Sequence, residues 1–244
     1  MLNNKVLVIV GPTGSGKTGV AIEIAKELDG EIISADSRAI YKGMDIGTAK
    51  PTIEEQQEVK HWGIDLVEPG ERFTVADWKR YAEEKIEDIL RREKVPIVVG
   101  GTGLYIDALI FDYQFNESVQ KSCSDRTEVD ERFLVVGVDC ESKKLRERIE
   151  QRIDTMFRKE LFRETKKIAS RCSWDSQAMK SNIYQFAWEY MCGNKTMNEA
   201  KRLAAFDDWH LAKRQITWFK RNKKIIWLPL EKIKPYVLKY MKDE

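Results

Sequence analysis

Short, almost continuous apolar runs punctuate the first half of the chain: KVLVIV at 5–10, EIISAD at 31–36, VPIVVGG at 95–101 and FLVVGVD at 133–139. Runs this short and this continuous predict strands buried on both faces, as in a parallel sheet covered by helices. Between them the period lengthens. Residues 20–28 put Ile24 and Leu28 on one helical face. Residues 74–92 run through Trp78, Tyr81, Ile86 and Ile89, opening on Thr74 with Asp77 three positions on, close to a capping box. The pattern predicts an α/β fold with right-handed crossovers. After Asp139 helical spacing takes over, first in Leu145, Ile149, Ile153 and Met156, then around 177–191, 196–205 and 208–222. KIIWL at 224–228 is expected to return one strand to the sheet, and 112–132, polar and weakly periodic, to form a long loop.

Composition narrows the picture only in places. A chain of 244 residues with 42% hydrophobic content can bury one sizeable core. Its 42 Lys+Arg against 40 Asp+Glu leave +2, so bulk charge selects no class of partner and only its distribution can. No apolar run approaches the roughly 20 residues of a membrane span, and the N-terminus lacks a signal-peptide pattern, which predicts a cytoplasmic protein without a membrane partner. Cys123, Cys140, Cys172 and Cys192 form no CxxC and stand far from His61 and His210, so reduced thiols are expected rather than a zinc site.

The chemistry enters at GPTGSGKT, which follows the first buried run and opens the first helix. That context marks a phosphate-binding loop. Gly11, Gly14 and Gly16 let the backbone of Gly11, Pro12, Thr13, Gly14, Ser15 and Gly16 wrap an anion with its amides, at the positive end of a helix. Lys17 supplies a charge between two linked phosphates, and Thr18 a hydroxyl for a phosphate-bound Mg²⁺. A nucleotide carries such a phosphate pair, and so does a prenyl diphosphate. Asp36 closes the second run and Thr102 follows the third, so both are expected in the crevice at the carboxyl ends of the strands. Asp36 suits either a water-mediated hold on Mg²⁺ or a general base, and Thr102 either a helix cap or a ligand contact.

GPTGSGKT, SADSRAIYKGMDIGTAKPT (34–52), HWGIDLVEP (61–69), FTVADW (73–78), PIVVGGTGLY (96–105) and AKRQITWFK (212–220) together resemble the tRNA dimethylallyltransferases, also called isopentenylpyrophosphate transferases. The resemblance implies a P-loop NTPase-like core at 1–111, a shortened insertion or loop at 112–132, and the rest of the core with C-terminal helices at 133–244. It implies transfer of a dimethylallyl group from dimethylallyl diphosphate to N6 of adenosine 37 in the tRNA anticodon loop, with release of diphosphate, by a monomer using Mg²⁺. By the same resemblance Asp36 is the base, Thr102 holds the amine, and Lys17, Thr18 and Arg214 meet the leaving group. Asp36, Ser37, Arg38, Ala39 and Thr102 then grip the base, with Lys220 and Arg221 on the RNA. The segment 213–224 is basic, and Trp218 and Phe219 interleave in it as candidate stacking surfaces.

Departures from the family pattern fall on the RNA-handling side. Ala39 stands where the family has Gln, and the helical insertion that clasps the anticodon stem is reduced to 112–132. SNIYQF (181–186) replaces a Gly-Tyr-Lys-Glu segment, with Tyr184 keeping the aromatic. Three other readings stay open on the residues: a P-loop kinase, a prenyltransferase acting on free adenine nucleotides, and a nucleic-acid-binding protein without turnover.

Overall fold

A computed structural model describes residues 4–115, 128–180 and 182–242. Six parallel strands form one sheet in the order β3-β2-β4-β1-β5-β6, with β1 Val6–Val10, β2 Gly30–Ala35, β3 His61–Trp62, β4 Val95–Gly100, β5 Phe133–Asp139 and β6 Ile226–Pro229. The four continuous apolar runs are four of these strands. Their side chains alternate between two buried layers: Leu7 and Ile9 pack with α1 (Lys17–Glu27) and α9 (Leu230–Lys242), while Val6, Val8 and Val10 pack with α3 (Val75–Arg91) and α4 (Gly103–Ile110). The expected late strand is β6, which pairs with β5 through Val136 opposite Ile226. The two-residue β3 was not foreseen, being too short to carry a period.

The capping box expected at Thr74 is complete: its Oγ1 accepts from the Asp77 N–H and the Asp77 carboxylate accepts from the Thr74 N–H. A third buried cluster lies outside the sheet layers. There α6 (Lys159–Ala169), α7 (Asn182–Met191), the end of α5 (Ser142–Met156) and the start of α8 (Met197–Phe219) close over Ile40, Tyr41 and Met44. The segments expected as two helices at 196–205 and 208–222 are the single helix α8, which ends at Phe219, and α6 is an addition to the expected set. The loop expected at 112–132 falls largely on 116–127, outside the described residues, as does Cys123.

Candidate functional site

β1 delivers the phosphate-binding loop and α1 carries it away. Gly14 (φ 76°) and Gly16 (φ 88°) occupy left-handed conformations that a Cβ would strain, and Gly16 caps α1 without a side-chain hydrogen bond. The first-turn amides of α1 are thereby left for an anion. Asp36 follows the last residue of β2, and Thr102 stands at the N-cap of α4 just beyond β4. Since β4 lies between β1 and β2, the three strand ends place Lys17, Asp36 and Thr102 around one cleft of about 630 Å³. Arg214 on α8, exposed at the rim, lines the same cleft.

Lys17 is half-buried in the cleft wall, and among the described residues its Nζ has a single long hydrogen bond, 3.3 Å to the Pro12 carbonyl. Burial lowers its pKa to about 8; the nearby Asp36 carboxylate opposes that shift and Arg152 adds to it. One Asp36 oxygen, Oδ1, accepts from the Arg38 N–H at 2.8 Å, which fixes the carboxylate while Oδ2 remains for a ligand. Thr102 does not cap its helix. Its Oγ1 instead accepts from the Ser37 N–H at 3.0 Å and donates to the Ser37 hydroxyl at 3.3 Å, tying the end of β2 to that of β4.

The remaining sequence candidates divide. Thr13, Gly14, Gly16, Thr18, Ser37, Arg38 and Ala39 line the cleft, whereas Gly11, Pro12 and Ser15 lie buried beneath it. Arg38 is drawn aside to donate to the Gln177 carbonyl. Lys220 and Arg221 are exposed past the end of α8 and do not line the cleft. Because the helix stops at Phe219, Arg221 does not share a helical face with Arg214; its guanidinium lies over the Trp218 ring. The stacking expected of Phe219 is corrected by its burial at 1% exposure in the sheet layer. Trp218 is half-buried and lines the cleft, its Nε1 donating to Asp107 at 2.9 Å. Tyr184 is fully buried and donates to Glu164, so its role is internal.

Three residues absent from the sequence reading shape the site. Arg152 lines the cleft near Lys17 and pairs with Asp208 of α8. Arg148, one turn earlier on α5, donates to the Ser15 carbonyl. Gln215 accepts from the Thr13 N–H at 2.8 Å and donates to the Gly101 carbonyl at 3.0 Å, bracing the phosphate loop against the end of β4. An available signal was two arginines four apart on a helix whose Ile149 and Ile153 face the core.

Thr18 offers the one neutral hydroxyl at the start of α1, and among the described residues no group of three or more His, Cys, Asp or Glu gathers to hold a metal unaided. That donor set fits a hard cation carried on phosphate oxygens with its waters, as Mg²⁺ prefers.

A family profile described as IPP transferase matches residues 39–132 and 113–222, and one described as isopentenyl transferase matches 4–68. Among curated proteins, the tRNA dimethylallyltransferase of Acetivibrio thermocellus is 35% identical over 287 aligned positions, covering 92% of this chain and 91% of the relative. The tRNA dimethylallyltransferase of Anoxybacillus flavithermus is 32% identical, covering 94% and 91%. Both alignments are longer than this chain, so each relative carries residues that it lacks. The crystal structure of the full-length tRNA isopentenylpyrophosphate transferase from Bacillus halodurans superposes with a TM-score of 0.87 at 29% identity, covering 99% of this chain and 98% of that one.

Proposed function

The chain belongs to the tRNA dimethylallyltransferase family, and we propose from that premise how its cleft carries out the transfer. The protein is a prenyltransferase that moves a dimethylallyl group from dimethylallyl diphosphate to N6 of adenosine 37 in the tRNA anticodon loop. One observation carries the assignment of roles: a carboxylate and a hydroxyl, Asp36 and Thr102, share a cleft with an under-bonded lysine and a free helix N-terminus.

The diphosphate lies in the loop from Gly11 to Thr18, with Lys17, the α1 amides and Arg214 against its charge. The adenine amine forms the new bond to C1 of the prenyl group as the C1–O bond breaks and the electron pair leaves with diphosphate. Asp36 Oδ2 takes the amine proton, which the delocalised nitrogen must lose as the bond forms, and Thr102 holds the amine in line. The base reaches the strand-end groups when it is flipped out of its loop. Mg²⁺ held by Thr18 and the diphosphate would neutralise charge on the leaving group.

Ser37, Arg38 and Ala39 form the wall beside the base, and Lys220 and Arg221 contact phosphates outside it. Ala39 offers that base no side-chain hydrogen bond. The domain reading keeps 1–111 as the P-loop core, 112–132 as the shortened insertion, and 133–244 as the remainder of the core with the C-terminal helices. The same reading makes the enzyme a cytoplasmic monomer; no described helix is long and apolar enough to cross a membrane.

Incubation with radiolabelled dimethylallyl diphosphate and either bulk tRNA or AMP tests the reading. Label is expected in tRNA at N6 of adenosine 37. Label in AMP alone, or Lys17-dependent ATP hydrolysis without prenyl transfer, would overturn it.

A further inference from the structure

Resting on that reading, we infer that the outer face of α8 carries a landing platform for a nucleobase next to the adenosine in the cleft, built from Phe206 and braced by His210. Phe206 is 58% exposed, and its ring lies 4.4 Å from that of His210, tilted by 54°. A solitary exposed ring is ordinary on a protein surface. Its placement here is not.

On α8 the residues that line the cleft, among them Asp207, Leu211 and Gln215, recur every three to four positions on one face. Residues 206, 210 and 214 follow each other at i, i+4 and i+8 along the adjoining face. Arg214 belongs to both, since it lines the cleft and is exposed at the rim. Phe206 thus stands two turns from Arg214, roughly 12 Å along the axis, on a strip continuous with the mouth through which the base enters.

The strip is basic on both sides of the ring. Arg202 and Lys213 are exposed before and after it along α8, and Lys220 and Arg221 are exposed past the helix end, against one exposed acid, Glu199, in the first turn; the balance complements a phosphate backbone. A ring between cations is the arrangement by which single-stranded nucleic acid is held without sequence preference, the base on the ring and the phosphates on the charges. The small apolar area, one phenyl with an imidazole behind it, suits a single base and falls far short of a protein interface. Phe219 is buried, and Trp218 is half-buried at the cleft wall with its Nε1 on Asp107, which leaves Phe206 as the exposed aromatic ring on the outer face of α8.

The test uses an anticodon stem-loop RNA in which 2-aminopurine replaces each base flanking the target adenosine in turn. With the parent protein, one of the two probes is expected to lose fluorescence on binding. Phe206→Ala should restore that fluorescence and weaken stem-loop binding by roughly 5- to 150-fold, the range for one base stacked on one ring. Phe206→Tyr should retain both, His210→Ala should show a smaller loss, and dimethylallyl diphosphate affinity should be unchanged in all three. If the parent prenylates the stem-loop but Phe206→Ala binds it as tightly with the same quenching, the platform is overturned and the functional reading stands. A parent that prenylates no RNA overturns both.

Discussion

Two loops border the cleft and each contains a shielded lysine, but the two lysines are treated in opposite ways. Lys50, whose side chain is 2% exposed, donates to the Tyr41 carbonyl at 2.6 Å, Asp45 at 2.8 Å and Asp65 at 2.6 Å, so all three of its protons have oxygen partners. Lys17 has one long bond to a carbonyl, and burial holds its pKa down near 8. The loop of Lys50 is further locked by Glu164, whose carboxylate accepts from the N–H groups of Asp45, Ile46 and Gly47, and by Tyr184, which fills the space where a side chain at position 47 would sit. A buried cation with every donor satisfied holds structure. One with donors to spare, beside free helix amides, awaits an anion.

The sharpest way to break this contrast is at the group Lys17 faces across the cleft. Asp36→Asn should lower prenyl transfer by roughly 10² to 10⁴, the loss expected for a general base, while dimethylallyl diphosphate still binds. Single-turnover transfer and equilibrium binding on the same preparation check this, and transfer within about threefold of the parent would remove Asp36 from the role.

Lys17→Ala should come next, weakening dimethylallyl diphosphate binding by roughly 10- to 100-fold and slowing transfer with it, because the charge meets both the bound diphosphate and the departing one. The pH profile makes the same point in the parent. As pH rises through about 8 the free enzyme loses the Lys17 proton, so kcat/KM should fall there, and the alkaline limb should move upward in kcat because bound diphosphate favours the charged amine. Stability should move the other way. Below about 8 both folded and unfolded chains hold the proton and the burial cost is present in full. Between about 8 and the unfolded value near 10.5 the unfolded chain binds more protons, so this group's contribution rises with pH. An alkaline limb that survives in Lys17→Ala would assign it to another group.

At the satisfied lysine the cost should appear in stability instead. Lys50→Met leaves Asp45 and Asp65 without their cation, but both carboxylates are about half exposed and can rehydrate. The loss is therefore expected at about 1 to 3 kcal/mol, below that of a fully buried pair, or a few degrees in Tm. Affinity for dimethylallyl diphosphate should stay near that of the parent; a large loss of affinity at unchanged Tm would mean that Lys50 also serves the ligand.

The smallest effect is expected at the brace between phosphate loop and sheet. Gln215→Leu removes two hydrogen bonds, each worth about 1 kcal/mol, and should raise KM for dimethylallyl diphosphate by a few fold with little change in kcat, as steady-state kinetics can show.

Much of the sheet was legible because burial on both faces leaves few polar residues within a strand, so β1, β4 and most of β5 read as nearly unbroken apolar runs, and β2 does so despite Glu31, which is buried against Arg92, and Ser34. The single helix α8 was read as two because it faces the cleft, the solvent and α5 along its length. Near its middle Asp207 and Asp208 look into the cleft while Phe206 looks outward, which interrupts the apolar period without interrupting the helix. Arg152 and Gln215 passed as ordinary polar residues of amphipathic helices, where nothing local marks them as neighbours of the phosphate loop.

The sequence by itself determined the phosphate loop, the strands that present it and the placement of Asp36 and Thr102 at strand ends, because each rests on residues adjacent in the chain or on a local period. Only the tertiary structure decided which lysine is satisfied and which is left open. The oxygens that satisfy Lys50 lie only 5 to 15 positions from it, but the contacts that hold the two loops in shape span long stretches of chain: Thr13 and Gln215 are 202 positions apart, and Glu164 is 117 to 119 positions from the amides it accepts from. A hydrogen bond between residues so distant leaves no periodic trace in either segment, and it comes into being only when the sheet and the helical cluster have packed.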